Sequence, residues 1–525
     1  MELENLNQIE NKGAGMRTEL LRIGGAILFL VGIMLFIGMT TAHTPNQTFL
    51  IVSAVIGGYM ALNIGANDVA NNVGPAVGSQ ALTLTGAILI AMIFESAGAL
   101  IAGGEVVSTI KKGIIDPSLI NNTDTFVWLM LAALLAAAIW LNTATFFGAP
   151  VSTTHSIVGG VLGAGIAAGG WNIANWTVFG KIAASWVISP MLGGLIAAAF
   201  LYFIKRSMTY QEDMLAAAKK VVPLLIAIMA WAFSTYLILK GLKKIWKVDF
   251  LTAGSVGFAF ALILYFAVRP FINKAAKSLE NNKFSVNKLF TIPLIFAAAL
   301  LSFAHGANDV ANAVGPLAAI NDALSHGGEI AKKAAIPIWV MLIGALGLSL
   351  GLALYGAKLI KTVGTEITEL DKMRAFCVSM AAAITVIIAS QLGLPVSSTH
   401  IAVGAIFGVG FLREYLKRTD AKRLQEIRTH HENLDPEKTE AFLKTFKKAS
   451  VAKKSVMLAE LKEQAKNSET DFTKRERKTL QKVYQKELVK RSHVYKIAAA
   501  WVITVPLSAL LAAMLYFTIR GIMIP

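Results

Sequence analysis

Two copies of one eleven-residue element carry most of the chemistry open to this chain. Gly65-Ala66-Asn67-Asp68-Val69-Ala70-Asn71-Asn72-Val73-Gly74-Pro75 returns 241 positions later as Gly306-Ala307-Asn308-Asp309-Val310-Ala311-Asn312-Ala313-Val314-Gly315-Pro316. Each copy sets a carboxylate among carboxamides at the end of an apolar run. A charge there costs about 2.5–3.5 kcal/mol on insertion scales unless it meets an ion, a partner or a wet cavity. Side-chain oxygens from Asn67, Asp68, Asn71 and Asn72, with backbone carbonyls released where Gly-Pro interrupts the helix, make an oxygen-only donor set that suits a hard cation such as sodium. Asn67 and Asn71, like Asn308 and Asn312, stand one helical turn apart and could face one site. The competing explanation is a polar seam joining packed helices. An aspartate in both copies argues against it.

A second repeated element has different chemistry. Pro150-Val151-Ser152-Thr153-Thr154-His155 returns 245 positions later as Pro395-Val396-Ser397-Ser398-Thr399-His400. Proline suits the start of a helix, and the residues after it expose N–H groups that no intrahelical carbonyl accepts. Hydroxyls of Ser152, Thr153 and Thr154, and of Ser397, Ser398 and Thr399, add donors to the same positive helix end. The result is an anion site with no formal positive charge, which can release its ligand more readily than a lysine would. Plain N-capping is the alternative for either copy alone. His155, His400 and His305 more often satisfy nearby carbonyls, and none is assigned to binding. Glu95, an acid inside an apolar run whose second-copy counterpart has Gly344 near the matching place, is either a residue that couples the ion or a structural partner.

These elements must be positioned by membrane-spanning helices. Of 525 residues 55% are apolar and 15% charged, where a soluble chain carries about 25% charged residues. The apolar residues fall in continuous runs such as 81–103, 176–204 and 336–355, long enough to cross a bilayer as helices and unlike the short alternating strands of an outer-membrane barrel. A third repeated segment, Lys181–Ile188 against Lys496–Ile503, is offset by 315 positions, so the second copy contains an insertion dense in Lys, Arg and Glu. Basic residues follow the first of these closing helices but precede the second. By the positive-inside tendency the two helices run in opposite directions. The expected fold is therefore an all-α polytopic membrane protein built of two inverted repeats with broken helices, about 12–13 membrane segments in all. Its parts are an N-terminal segment with an additional helix (1–47), a first repeat (48–204), a linker with an extra helix (205–249), a second repeat (250–412), a basic helical insertion on the cytoplasmic side (413–494) and the closing helix (495–525). Lys240, Lys243, Lys244 and Lys247 fall on the wrong face for this layout. The net charge of +17 records topology rather than nucleic-acid binding, and the single cysteine, Cys377, excludes an intramolecular disulfide.

The doubled Gly-Ala-Asn-Asp-Val-Ala-Asn and Pro-Val-Ser-x-Thr-His elements resemble the signature of the inorganic phosphate transporter (PiT) family over about residues 48–412 and 495–520. Gly78–Leu84, Ile93–Ser96 and Lys111–Asp116 are similar to its sodium-coupled branch. The resemblance implies sodium-driven phosphate uptake in the cell membrane, with no cofactor and no enzymatic step. Carried onto these positions, it places phosphate on Asp68, Ser152, Thr153, Thr154, Asp309, Ser397, Ser398 and Thr399, and the co-transported sodium on Asn67, Asn71, Asn308 and Asn312. A proton-coupled phosphate or sulfate permease is the alternative, with an anion channel ranked below it. An enzyme would need a nucleophile–base pair or a metal cluster that the histidine spacing does not supply. The helices at 20–41 and 221–240 and the insertion depart from the family pattern and leave a homo-oligomer open.

Overall fold

The computed structural model describes residues 2–41, 46–120, 122–146, 151–241, 248–325, 336–366, 370–431, 441–445, 457 and 491–524. Most of the insertion, including Asp435-Pro436, lies outside the described residues, as do Pro150, Lys243, Lys244 and Lys247. The first part of the chain forms α1 (Glu2–Thr40), α2 (Gln47–Asn67), α3 (Ala70–Gly78), α4 (Leu84–Ala102), α5 (Gly104–Lys112), α6 (Thr123–Phe146), α7 (Thr153–Gly169) and α8 (Trp176–Ile204). Then come α9 (Met214–Tyr236), which continues as a wide turn over Leu237–Gly241, and α10 (Phe250–Ala276), α11 (Lys283–Leu289) and α12 (Thr291–Ser325). The chain closes with α13 (Ile338–Glu366), α14 (Lys372–Gln391), α15 (Ser398–His431) and α16 (Arg491–Met523). Asp371 caps α14; burial alone would raise its carboxyl, but the hydrogen bond and charge of Arg374 hold it below the usual range.

Among the described residues eleven helical segments are long and apolar enough to cross a membrane. The chain is thus an integral, multi-pass helical protein. Shorter elements, α7 at 17 residues and the apolar start of α15, bring in the hydroxyl triads. The boundary drawn at 412/413 falls inside α15, which runs unbroken from the second triad towards the insertion.

Lipid tails give helices no hydrophobic reason to associate, so close packing through small residues must do so. A Cβ on Gly65 would strike the Leu348 carbonyl and one on Gly351 the Leu62 carbonyl, setting α2 backbone to backbone with α13. Gly98 against Phe303 and Gly306 against Glu95 do the same for α4 and α12. The two sets correspond: 241 positions relate Leu62 to Phe303 and Gly65 to Gly306, and 253 relate Glu95 to Leu348 and Gly98 to Gly351. Each copy's signature helix therefore packs on the other copy's next helix. The exchange recurs where Gly163 of α7 meets Ala509 of α16 and Gly408 of α15 meets Gly194 of α8.

The equivalent helices α4 and α13 touch at Ser96 and Ser349, whose hydroxyls lie 2.7 Å apart. Ser96 also donates to the Ala345 carbonyl at 3.3 Å and Ser349 to the Met92 carbonyl at 3.0 Å. Moving from 96 to 92 on one helix means moving from 345 to 349 on the other, so the pair is antiparallel. Equivalent helices crossing antiparallel at their shared midpoint are what a two-fold axis in the membrane plane produces.

The Gly-Pro pairs do not end helices as expected. Pro75 lies inside α3 and Pro316 inside an uninterrupted α12. The discontinuity falls earlier and only in the first copy, at Asp68-Val69 between α2 and α3. A proline inside a helix still withholds its N–H from the carbonyl four residues back, here that of Asn71 or Asn312.

Backbone contact at Gly98 and Gly306 leaves a larger residue nowhere to go. Gly98→Val or Gly306→Val should lower the thermal unfolding midpoint in detergent, with a cost at or above the usual overpacking range of about 1–3 kcal/mol. Gly254→Ala in α10, where a Cβ meets nothing within 4 Å, should leave the midpoint unchanged.

Candidate functional site

Both hydroxyl triads begin helices. Ser152 is extended (φ −92°, ψ 124°) and its Oγ accepts from the His155 N–H at 3.2 Å. Ser397 caps α15 in the same way, accepting from the His400 N–H at 3.3 Å. A cap uses only a lone pair, so each serine keeps its O–H for donation. Trp186 braces both starts: its indole donates to the Pro395 carbonyl at 3.3 Å and lies 3.9 Å from the His155 ring, which in turn lies 4.7 Å from His400. The two histidines thus act behind the triads.

The break at Asp68-Val69 turns the Asp68 side chain towards these helix starts. Its carbonyl accepts from the Asn71 backbone N–H at 3.1 Å and from Asn71 Nδ2 at 3.1 Å. Thr153 donates to Asp68 Oδ2 at 2.8 Å, and in the second copy Ser398 donates to Asp309 Oδ2 at 3.2 Å. Amides then tie the copies together: Asn71 donates to Thr399 Oγ1 at 2.9 Å, and Asn312 donates to Thr154 Oγ1 at 3.0 Å and to Thr153 Oγ1 at 3.2 Å. Thr399 reaches Asp68 Oδ1 at 3.4 Å. The aspartates and both triads are buried, and they form one connected cluster rather than two sites.

Asn67 and Asn308 stand apart from it. Asn67 is half-buried at the end of α2. Asn308 donates to Ser390 Oγ at 3.1 Å and to the Leu394 carbonyl at 3.2 Å, and accepts from the Val396 N–H at 3.3 Å. It anchors the segment that leads into the second triad, and the helical-turn spacing does not bring it beside Asn312 on one ligand.

Glu95 is fully buried and belongs to the cluster through a residue the sequence reading set aside. Asn72 donates to Glu95 Oε1 at 2.7 Å, and His305 Nδ1 lies 2.7 Å from Glu95 Oε2. His305 Nε2 lies 3.0 Å from Asp309 Oδ2, a charge contact not aligned as a hydrogen bond. Backbone packing matches Glu95 with Leu348, not Gly344. His305 corresponds to Ile64 and Asn72 to Ala313. The polar chain Asn72–Glu95–His305–Asp309 thus exists on one side of the two-fold only. The available signal was a histidine four residues before Asp309 with an aliphatic residue in its first-copy place.

Asp68, His305 and Asp309 each offer a ligand atom within 4.8 Å of the others. Asp309 Oδ1, Asn312 Oδ1 and Asn72 Oδ1 are buried oxygens with no hydrogen-bond partner. Acceptors without donors, close to two carboxylates, fit a hard cation.

Residues 64–512 match the phosphate transporter family. A Helicobacter pylori (strain J99) protein named "Putative phosphate permease" is 53% identical over 526 residues, covering 98% of each chain. A Haemophilus influenzae protein of the same name is 39% identical over 69% of this chain and 87% of its own. A solved structure described as the sodium-dependent phosphate transporter superposes with a TM-score of 0.73 at 33% identity, over 91% of this chain and all of that one. The chain belongs to the phosphate transporter family and is a transporter, not an enzyme.

Leaving a buried charge without its partner costs about 3–5 kcal/mol, whereas replacing a whole polar set by packed apolar groups can be neutral. Glu95→Leu alone should therefore destabilise strongly. The triple change Glu95→Leu, His305→Ile and Asn72→Ala, which copies the residues of the other half, should recover most of the lost thermal midpoint.

Proposed function

We propose that the chain takes up inorganic phosphate with sodium by alternating access, binding the anion between the two aspartates and the two hydroxyl triads. The observation that carries this reading is the paired contact of Thr153 with Asp68 and Ser398 with Asp309. Each hydroxyl now donates to a carboxylate. A phosphate bearing P–OH protons can enter both bonds, donating to the carboxylate and accepting from the hydroxyl and from the first N–H groups of α7 and α15. Asp68, Asp309, Ser152, Thr153, Thr154, Ser397, Ser398 and Thr399 are its ligands.

Sodium offsets the repulsion between carboxylates and anion. Asn312 and Asp309, with unpartnered oxygens, and Asn71, whose carbonyl lacks a helical donor, are the groups placed to hold it. Asn67 and Asn308 have the right chemistry but a poorer position. Glu95 positions His305 against Asp309. That same Glu95–His305–Asp309 chain favours a second reading, proton-coupled uptake. The basic insertion faces the cytoplasm and the protein resides in the cell membrane, as the basic residues of the shorter loops support.

In proteoliposomes, an inward sodium gradient should drive phosphate accumulation, and potassium or a pH gradient alone should not. Accumulation with a pH gradient in sodium-free buffer would favour the proton reading instead. Asn312→Ala should raise the sodium concentration for half-maximal uptake more than that for phosphate.

Sulfate carries no proton for Asp68 or Asp309 to accept. An unpaired buried group costs about 1–3 kcal/mol, roughly ten- to hundredfold in selectivity. Sulfate should compete poorly, and Asp68→Asn or Asp309→Asn should lower phosphate uptake while narrowing that preference in competition assays.

A further inference from the structure

A cavity of about 460 Å³, lined by Glu105, Ser108, Thr109, Lys112, Gly113, Gln391, Leu392 and Gly393, opens at one end of the bundle. Its place is set by the chain around it. Gly113 leads into Ile114–Asp116, which pairs with the uncharged Ile173–Asn175 segment before α8. α8 runs away from this end towards Lys205 and Arg206. Pro190 meets Gly404 as Gly194 meets Gly408, so α15 runs parallel to α8 and carries the insertion to the far end. The cavity therefore opens on the face opposite the insertion.

Its wall is also the approach to the buried site. α14 ends at Gln391, and Gly393 takes φ +66°, a conformation glycine adopts at little cost. Thr109 of α5 donates to the Gly393 carbonyl at 2.7 Å. The next residues, Leu394 and Val396, hold Asn308, and Ser397 and Ser398 belong to the second triad. One segment of chain separates the cavity from the candidate ligands.

The lining is suited to an oxyanion. Gln391 Nε2 is a buried donor with no hydrogen-bond partner. Ser108 and Thr109 add hydroxyls. Lys240 lies 3.3 Å from Glu105, so Glu105, Lys240 and Lys112 sum to one positive charge. Lys111, the neighbour of Lys112, is held separately by buried Asp322 at 2.7 Å. Lys240 is one of the lysines that contradicted the positive-inside layout, and this cavity gives it a reason to lie on that face.

We propose that this cavity is a vestibule that collects phosphate before it reaches the buried site, with Lys112 supplying the attraction and Gln391 a hydrogen bond. The proposal rests on reading the chain as a phosphate importer. A single charge at the mouth of a narrow path speeds encounter with an anion, and salt screens the effect.

The test is initial uptake of radiolabelled phosphate by cells or oriented vesicles at fixed sodium, with choline chloride varying the ionic strength. At low ionic strength Lys112→Gln should raise KM about threefold and Lys112→Glu about tenfold, with kcat kept and Lys112→Arg near wild type. The differences should shrink as choline chloride approaches molar concentration. Because Cys377 is buried, Lys112→Cys can be modified selectively. An externally added, membrane-impermeant thiosulfonate bearing an ammonium group should restore KM, and one bearing a sulfonate should raise it further. An unchanged KM in Lys112→Glu, or a loss of kcat that no added charge restores, overturns the vestibule while leaving phosphate transport intact. Absence of uptake by the wild type overturns the transport reading and the vestibule with it.

Discussion

Two carboxylates buried in a body surrounded by lipid are the constraint on which the rest of the structure depends. Burial of Asp68 and Asp309 is tolerable only if donors or cations meet them, and the donors come from two helix starts that must reach the same point. Thr153 and Ser398 supply one hydroxyl to each carboxylate, and Asn71 and Asn312 tie each helix start to the opposite copy. None of these contacts can form within a single copy alone. The fold has to bring the copies into backbone contact, which explains the glycines at 65, 98, 306 and 351 where the exchanged helices cross.

The departures from two-fold symmetry are as informative as the symmetry. α2 and α3 are parted at Asp68-Val69, while α12 passes its equivalent point unbroken. Asp309 has His305 and Glu95 behind it, whereas Asp68 has Ile64 and Leu348 in those places. The two aspartates are thus alike in ligand chemistry and unlike in support. A pair that differs in this way can bind the same anion from two sides while responding differently to a cation.

Much of this was legible in the residues. The doubled elements located both carboxylates and both triads, and the charge reversal around the closing helices pointed to opposed copies. Legibility failed where tertiary context overrode local rules. Gly-Pro reads as a helix end, yet Pro75 and Pro316 stay helical because a carbonyl without its donor can be left facing a polar site. Asn67 and Asn308 read as equivalent to Asn71 and Asn312 by spacing, but the loop before Ser397 claims Asn308. His305 was unremarkable by type, and only the packing of α4 on α12 showed that it meets Glu95. The match of Glu95 with Leu348 likewise needed backbone contacts, since the intervening sequence offers no motif to align.

The central claim is that both aspartates and both triads serve one anion. The most direct measurement is anomalous scattering from arsenate, a phosphate mimic, in crystals of the protein grown with sodium. A single arsenic peak within hydrogen-bonding distance of Thr153, Ser398 and at least one of the two aspartates is the expected result. Two peaks, each on one triad alone, or none near either aspartate, would contradict it.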